Sequence, residues 1–202
     1  MPPRWIARQL ERRGIHDERV LHAMASVPRE RFVPAEARGD AYADAALALP
    51  HGQTISQPFV VALICQALLL QGGERVLDVG TGSGYQAAVL AELGAKVVSI
   101  ERIAELAEQA RRNLEQAGYD VDVRVGDGTL GVPECAPFDA IAVAASATEL
   151  PQALYEQLAP GGRIVLPIEE SLVAVTRTSA GPRARFLTSV RFVPLVGGLP
   201  GE

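Results

Sequence analysis

The chain has 202 residues, 48% of them hydrophobic and 21% charged, with a formal charge of −5. That is enough for one large core, so a single domain over residues 1–202 is expected. The acidic balance offers no counterion-releasing surface for nucleic acid, and no run approaches the roughly 18 apolar residues of a membrane span, so neither partner is expected.

The opening MPPRWIARQLERRG lacks the apolar centre of a signal peptide, and a cytoplasmic protein is expected. Next, DERVLHAMASVP places Val20, Leu21, Met24 and Val27 on one helical face, opens with an acid and closes at Pro28. The stretch PRERFVPAEARGDAYADAALALP is too long and irregular for a simple connector, which marks it as a candidate functional loop. It runs into HGQTISQPF. There Ser56 stands two residues before Pro58 and ahead of the apolar run FVVALICQALLL, the position of a helix N-cap worth ~1 kcal/mol. The stretch is not G-x-S-x-G and has no partnering His or Asp, so covalent catalysis is disfavoured and, on the residues alone, capping is the stronger reading. Cys65 reads as a buried thiol and Cys135 stands alone in PECAP; neither has ligand spacing, and no metal is expected.

From Glu74 onward strands and helices alternate: RVLDV, YQAAVLAEL, AKVVSI, RIAELAEQARRNLEQAG closed by Gly118, VDVRV, FDAIAVAA, a helix near TELPQALYEQL, and GGRIVLPI. This rhythm predicts a doubly wound, mostly parallel seven-strand α/β sheet, Rossmann-like, carrying an N-terminal helical segment. SLVAVTRT and RARFLTSVRFV flank the turn SAGP and predict an antiparallel C-terminal hairpin on the sheet edge. The divisions expected are 1–58 for the helical segment and substrate loop, 74–168 for the cofactor-binding core and 169–202 for the hairpin.

The sharpest motif is VLDVGTGSGYQ, a buried strand running through a glycine turn into a helix, where doubly wound sheets bind ligands. From Gly80 the frame is G-x-G-x-G, with Gly82 and Gly84, whereas Gly82, Gly84 and Ala87 satisfy the looser dinucleotide pattern. Asp78 helps to choose: a carboxylate at the strand end is badly placed against a pyrophosphate but suits the ammonium and sulfonium of S-adenosylmethionine. Glu101 ends the next strand, about 20 residues on, where an acid can accept ribose hydroxyls; it also suits the N-terminus of the following helix. Asp127 in GDG is placed for an adenine amino group, or is an ordinary turn aspartate.

The run VLDVGTGSGYQAAVLAELGAKVVSIE, then VGDG and PFDAIAV, resembles the seven-strand S-adenosylmethionine-dependent methyltransferases. More narrowly, RQLERRGIHDERVLHAMASVPRERFVP, GQTISQP, ELPQALYEQLAPGGRIVLPI and RFVPLVGG resemble the protein-L-isoaspartate (D-aspartate) O-methyltransferases, over nearly the whole chain. The resemblance implies methyl transfer from S-adenosylmethionine, leaving S-adenosylhomocysteine, to the α-carboxylate of L-isoaspartyl residues in damaged proteins and peptides. It implies Ser56 as the active-site residue, between the donor methyl and the substrate carboxylate. By the same resemblance, Gln53, Thr54, Ser56, Asp78, Gly80, Thr81, Gly82, Ser83, Gly84, Glu101, Arg102, Asp127 and Gly128 would hold the donor, and Ile55, Ser56, Ala144 and Val193 the substrate. Gln53 and Thr54 read equally well as loop polar groups satisfying one another's neighbours.

Two departures fall on the substrate side: only His51 separates ALP from GQTIS, and Ala144 stands where the family usually has threonine. By position His51 could contact the substrate, though a lone loop histidine reads more readily as solvated; Arg191 could help hold the substrate pocket, though pairing with surface acids is the stronger reading. Three other readings remain open: methylation of a normal aspartate in a dedicated peptide, a nicotinamide-dependent oxidoreductase on the shifted glycine frame, and a partner-binding protein without activity. A monomer is expected.

Overall fold

The computed structural model describes residues 3–200. Two short helices open it, α1 (Arg4–Gln9) and α2 (Glu18–Ser26). Helix α2 starts where the sequence indicates: the Asp17 carboxylate accepts the Arg19 and Val20 N–H groups, and Val20, Ala23 and Met24 are buried. Helix α1 has no counterpart among the expected elements; its six residues are too few to show a period. The long loop is partly ordered into short 3-10 turns and the two-residue strand β1 (Leu47–Ala48), which pairs antiparallel with β2 (Thr54–Ile55).

Helix α3 (Pro58–Leu68) is buried on almost all sides, as its unbroken apolar sequence requires. Then come β3 (Arg75–Val79), α4 (Tyr85–Glu92), β4 (Lys96–Glu101), α5 (Ala104–Ala117), β5 (Asp122–Val125), β6 (Phe138–Val143), α6 (Gln152–Glu156), β7 (Leu158–Ile168), β8 (Ser171–Thr178) and β9 (Gly181–Ser189). The sheet order is β5-β4-β3-β6-β7-β8-β9, parallel as far as β7 and antiparallel beyond it. The expected doubly wound sheet with its antiparallel hairpin is therefore present. The hairpin is shorter than the sequence suggests, because the chain leaves the sheet after Ser189 and residues 190–196 take another course.

Alternation along the central strands divides the core between the two faces of the sheet. Val76, Ala140 and Ala142 pack toward α2, α3 and α4, while Leu77, Val79, Ile141 and Val143 pack on the other face with Leu154 of α6. The chain order reverses between β3 and β6, so a crevice opens where their carboxyl ends diverge, at Gly80 and Ala144. Among the described residues, no helix is long and apolar enough to cross a membrane.

Candidate active site

The turn after β3 is shaped by three glycines with positive φ: Gly80 at 90°, Gly82 at 54° and Gly84 at 89°. A side chain at Gly84 would meet Leu114 at 3.1 Å, so this residue also lets α4 lie close to α5. One wall of the cleft above this turn comes from Gly80, Gly82, Glu101 and Gly128; the other comes from Gln53, Thr54 and the chain after β9. Glu101 is 6% exposed, and its two oxygens accept the Gly82 N–H at 2.9 Å and the Ile103 N–H at 3.1 Å. The carboxylate thus locks the glycine turn to the tip of β4 while still bordering the cleft. Gly128 leaves no room for a side chain, since a Cβ there would lie 2.7 Å from Val79 Cγ1. Arg102 lines the same cleft and donates from Nε to the Gly198 carbonyl at 3.2 Å.

Several residues expected around the donor are engaged within the protein. Asp78 is fully buried and borders no cleft; its carboxylate accepts from Gln86 Nε2 at 2.8 Å and Ser99 Oγ at 2.7 Å. The strand period explains this, because Asp78 shares its face with Val76 and points at α4, so its role is to brace the turn from beneath. Thr81 is likewise engaged below, Oγ1 to Ser99 Oγ at 2.6 Å, and Ser83 gives its carbonyl to Asn113 Nδ2. Both border the narrow crevice under the turn, and Ser83 also borders a separate cavity beside α5. Asp127 follows the turn reading: Oδ1 accepts from the Thr129 N–H and hydroxyl, and Oδ2 from the Gly198 N–H at 2.7 Å. Burial raises its pKa, but the hydrogen bonds from Thr129 and Gly198 outweigh that and hold it below the ordinary aspartate range.

Burial pushes the Asp78 carboxyl up to about 6, against the lowering effect of its two hydrogen bonds. The folded state therefore binds the proton more tightly than the unfolded chain does. Stability conferred by that proton is fully present below about pH 4 and lost as pH rises through 6. An Asp78→Asn variant should flatten the fall in unfolding free energy between pH 5 and 7, measured by urea titration. An unchanged slope in the variant would refute this assignment.

A second cleft, of about 500 Å³, lies on the other side of the TIS segment. Arg13, Asp44, Ser56, Phe59 and the run 188–192 border it. Its near wall is rigid: Arg13 lies 3.6 Å above the Phe59 ring and pairs with Asp44 at 3.1 Å, while Gln57 Nε2 donates to Asp44 Oδ1 at 2.7 Å. Arg191 stands exposed at its rim, 3.9 Å from Glu170. Thr54 borders both clefts, and Ser56 borders the second cleft and the crevice that joins it to the first.

Ser56 does not cap α3. The helix begins at Pro58, which puts Gln57 in the cap position; Gln57 makes no side-chain cap bond, and its carbonyl accepts from the Val60 and Val61 N–H groups. The Ser56 hydroxyl makes no hydrogen bond within the described residues, whereas its carbonyl accepts from Arg29 Nη2 at 2.8 Å. Ile55 is 4% exposed and Ala144 is packed beside Gly80; both face the joining crevice. Val193, expected against the substrate, borders the first cleft, since its carbonyl is tied to the Ser146 N–H at 2.7 Å. His51 has a φ of 59° and borders a separate cavity with Arg31, Arg38 and Arg112. Sequence reasoning missed Arg29 and the part that 194–196 take beside Val193 in walling the first cleft; RFVPLVGG is the local sign of the latter.

A glycine turn at the switch point, a buried acid at the tip of the neighbouring strand and a seven-strand sheet with an antiparallel edge define an S-adenosylmethionine-dependent methyltransferase. The particular family follows from comparison with known proteins. Residues 4–199 match the family described as protein-L-isoaspartate(D-aspartate) O-methyltransferase, and the chain belongs to it. Protein-L-isoaspartate O-methyltransferase 2 of Marinobacter nauticus is 55% identical over 196 residues, 94% of this chain and 90% of that one. The like-named protein of an Anaeromyxobacter species is 53% identical over 96% of this chain and 83% of its own. A Plasmodium falciparum protein-L-isoaspartate O-methyltransferase solved with S-adenosyl-L-homocysteine superposes with a TM-score of 0.82 at 29% identity, covering 95% of this chain and 96% of that one.

Proposed function

We propose that the two clefts separated by Thr54 and Ser56 bring a methyl donor and a peptide carboxylate together, and that the carboxylate is the α-carboxylate of an L-isoaspartyl residue in a damaged protein or peptide. The observation that carries this is the unengaged Ser56 hydroxyl at the junction of the clefts. S-adenosylmethionine fits the first cleft: Glu101 is a buried acceptor suited to ribose hydroxyls, and Gly80 and Gly128 leave space for close backbone approach. Gln53, Thr54 and Arg102 complete the wall around it.

When bound, the donor supplies an electrophilic methyl group on a sulfonium sulfur. A carboxylate with an unperturbed pKa of roughly 4 is ionised at neutral pH and attacks without a general base. The protein's task is positioning and exclusion of water. The Ser56 O–H donates to one carboxylate oxygen and leaves the other aligned with the methyl–sulfur bond. The methyl ester expels methoxide where a carboxylate has no comparable leaving group, so the neighbouring backbone nitrogen gives up its proton, attacks the ester carbonyl and closes a succinimide with release of methanol; water then reopens the ring, in part to normal aspartate.

The test is transfer of labelled methyl to a matched pair of peptides, one with isoaspartate and one with aspartate. Label in the isoaspartyl peptide alone is expected. Label in the aspartyl peptide instead would mean that the enzyme installs succinimides, and label in neither would overturn the proposal.

A further inference from the structure

The second cleft has an unusual wall. Five consecutive residues, Thr188 to Phe192, border it. Side chains alternate between the two faces of an extended chain, so a wall made from one face would use only every second residue. Thr188 and Ser189 belong to β9 and the Val190 N–H still bonds to the Glu170 carbonyl, so over these three successive residues the cleft is bordered by the strand's backbone edge, while Arg191 and Phe192 border it after the chain has left the sheet. Strand β9 ends the sheet and pairs only with β8 among the described residues.

The edge is protected unevenly. Its far half carries Pro182, which lacks an N–H, and the charged Arg183 and Arg185; a bulge then interrupts the register between the pairs Val173–Phe186 and Leu172–Thr188. Prolines, charges and bulges are the devices that keep a free edge from recruiting another strand. Beyond the bulge, the stretch 188–190 has no proline and no charge. The Val190 N–H donates to the Glu170 carbonyl at 2.9 Å, so the N–H of Ser189, the preceding residue of the strand, points away from β8.

We infer that the edge at residues 188–190 binds one flank of the isoaspartyl substrate as an added β-strand, an inference that rests on the function proposed above. The occupant is argued from continuity, because this open edge and Ser56 border the same cleft. In an isoaspartyl linkage the main chain runs through the β-carboxyl group, leaving the α-carboxylate as a free branch. A flank held by its backbone on the edge presents that branch to Ser56. Backbone pairing ignores side-chain identity, which suits a substrate defined by a damaged linkage and found in any sequence context.

The experiment uses the whole enzyme and an isoaspartyl hexapeptide N-methylated at one flanking amide at a time, with steady-state kinetics for each. KM should rise about tenfold at alternate positions of one flank, with kcat little changed, while the intervening positions stay near the parent value. On the protein side, Ser189→Pro removes one outward N–H and should raise KM about tenfold at unchanged affinity for S-adenosylhomocysteine. A KM indifferent to N-methylation, or a rise at successive positions, overturns the strand pairing while leaving the methyltransferase reading intact. Failure to methylate the unmodified parent peptide overturns both.

Discussion

Replacing Ser56 by alanine should lower methyl transfer to an isoaspartyl peptide by about 10- to 100-fold and leave the affinity for S-adenosylhomocysteine within about twofold. A hydrogen bond to a charged group contributes about 1.5–3 kcal/mol, and each 1.4 kcal/mol is a factor of ten in rate. The effect should fall on kcat, because the contact aligns the carboxylate at the moment of attack. Little structural cost accompanies the change, since the hydroxyl caps no helix and donates to nothing among the described residues. Thermal unfolding of the variant is therefore expected to match the wild type. A parallel loss of Tm and cofactor affinity would show that the hydroxyl holds the loop together instead.

The second large effect is expected at Arg29, which is 0% exposed. Its Nε donates to the Ala41 carbonyl at 2.7 Å and its Nη2 to the Ser56 carbonyl at 2.8 Å, with the guanidinium 4.6 Å above the Tyr85 ring. One side chain thereby ties the long loop, the Ser56 segment and α4 to each other. Desolvation lowers its pKa, opposed by the favourable charge interaction with Tyr85. Arg29→Ala leaves two inward carbonyls unpaired and opens a cavity, which should cost about 3–5 kcal/mol and lower Tm by roughly 10 °C. Activity should fall further than stability at permissive temperature, because the Ser56 backbone loses its anchor. Arg29→Lys should recover only part of both, since one ammonium cannot match the planar fork that reaches two carbonyls. A loss below about 1 kcal/mol in the alanine variant would refute the tie.

The residues differ in how much of their part could be read in advance. The glycine turn, Glu101 and the alternation of elements from Glu74 are local: a positive φ asks for glycine, and a strand or helix declares its period within ten residues or so. Asp78 was legible in principle, because the face it shares with Val76 follows from the two-residue period, yet ligand chemistry argued for the opposite direction. The Ser56 cap was a sound local inference, but the helix begins at Pro58 and puts Gln57 in the cap position. Asp127 could not be resolved locally, since its second partner, the Gly198 N–H, is 71 residues away.

From its sequence alone, then, this protein has its sheet, its turn at the switch point and the class of donor it binds, because period and turn chemistry are set between near neighbours. Only the tertiary structure decided which polar groups face ligand and which face the core. It alone buried Arg29 beneath Ser56, brought residues 193–196 over the donor cleft and left the strand edge at 188–190 open beside the hydroxyl. Those arrangements depend on contacts between segments far apart in the chain, whose directions no local pattern specifies.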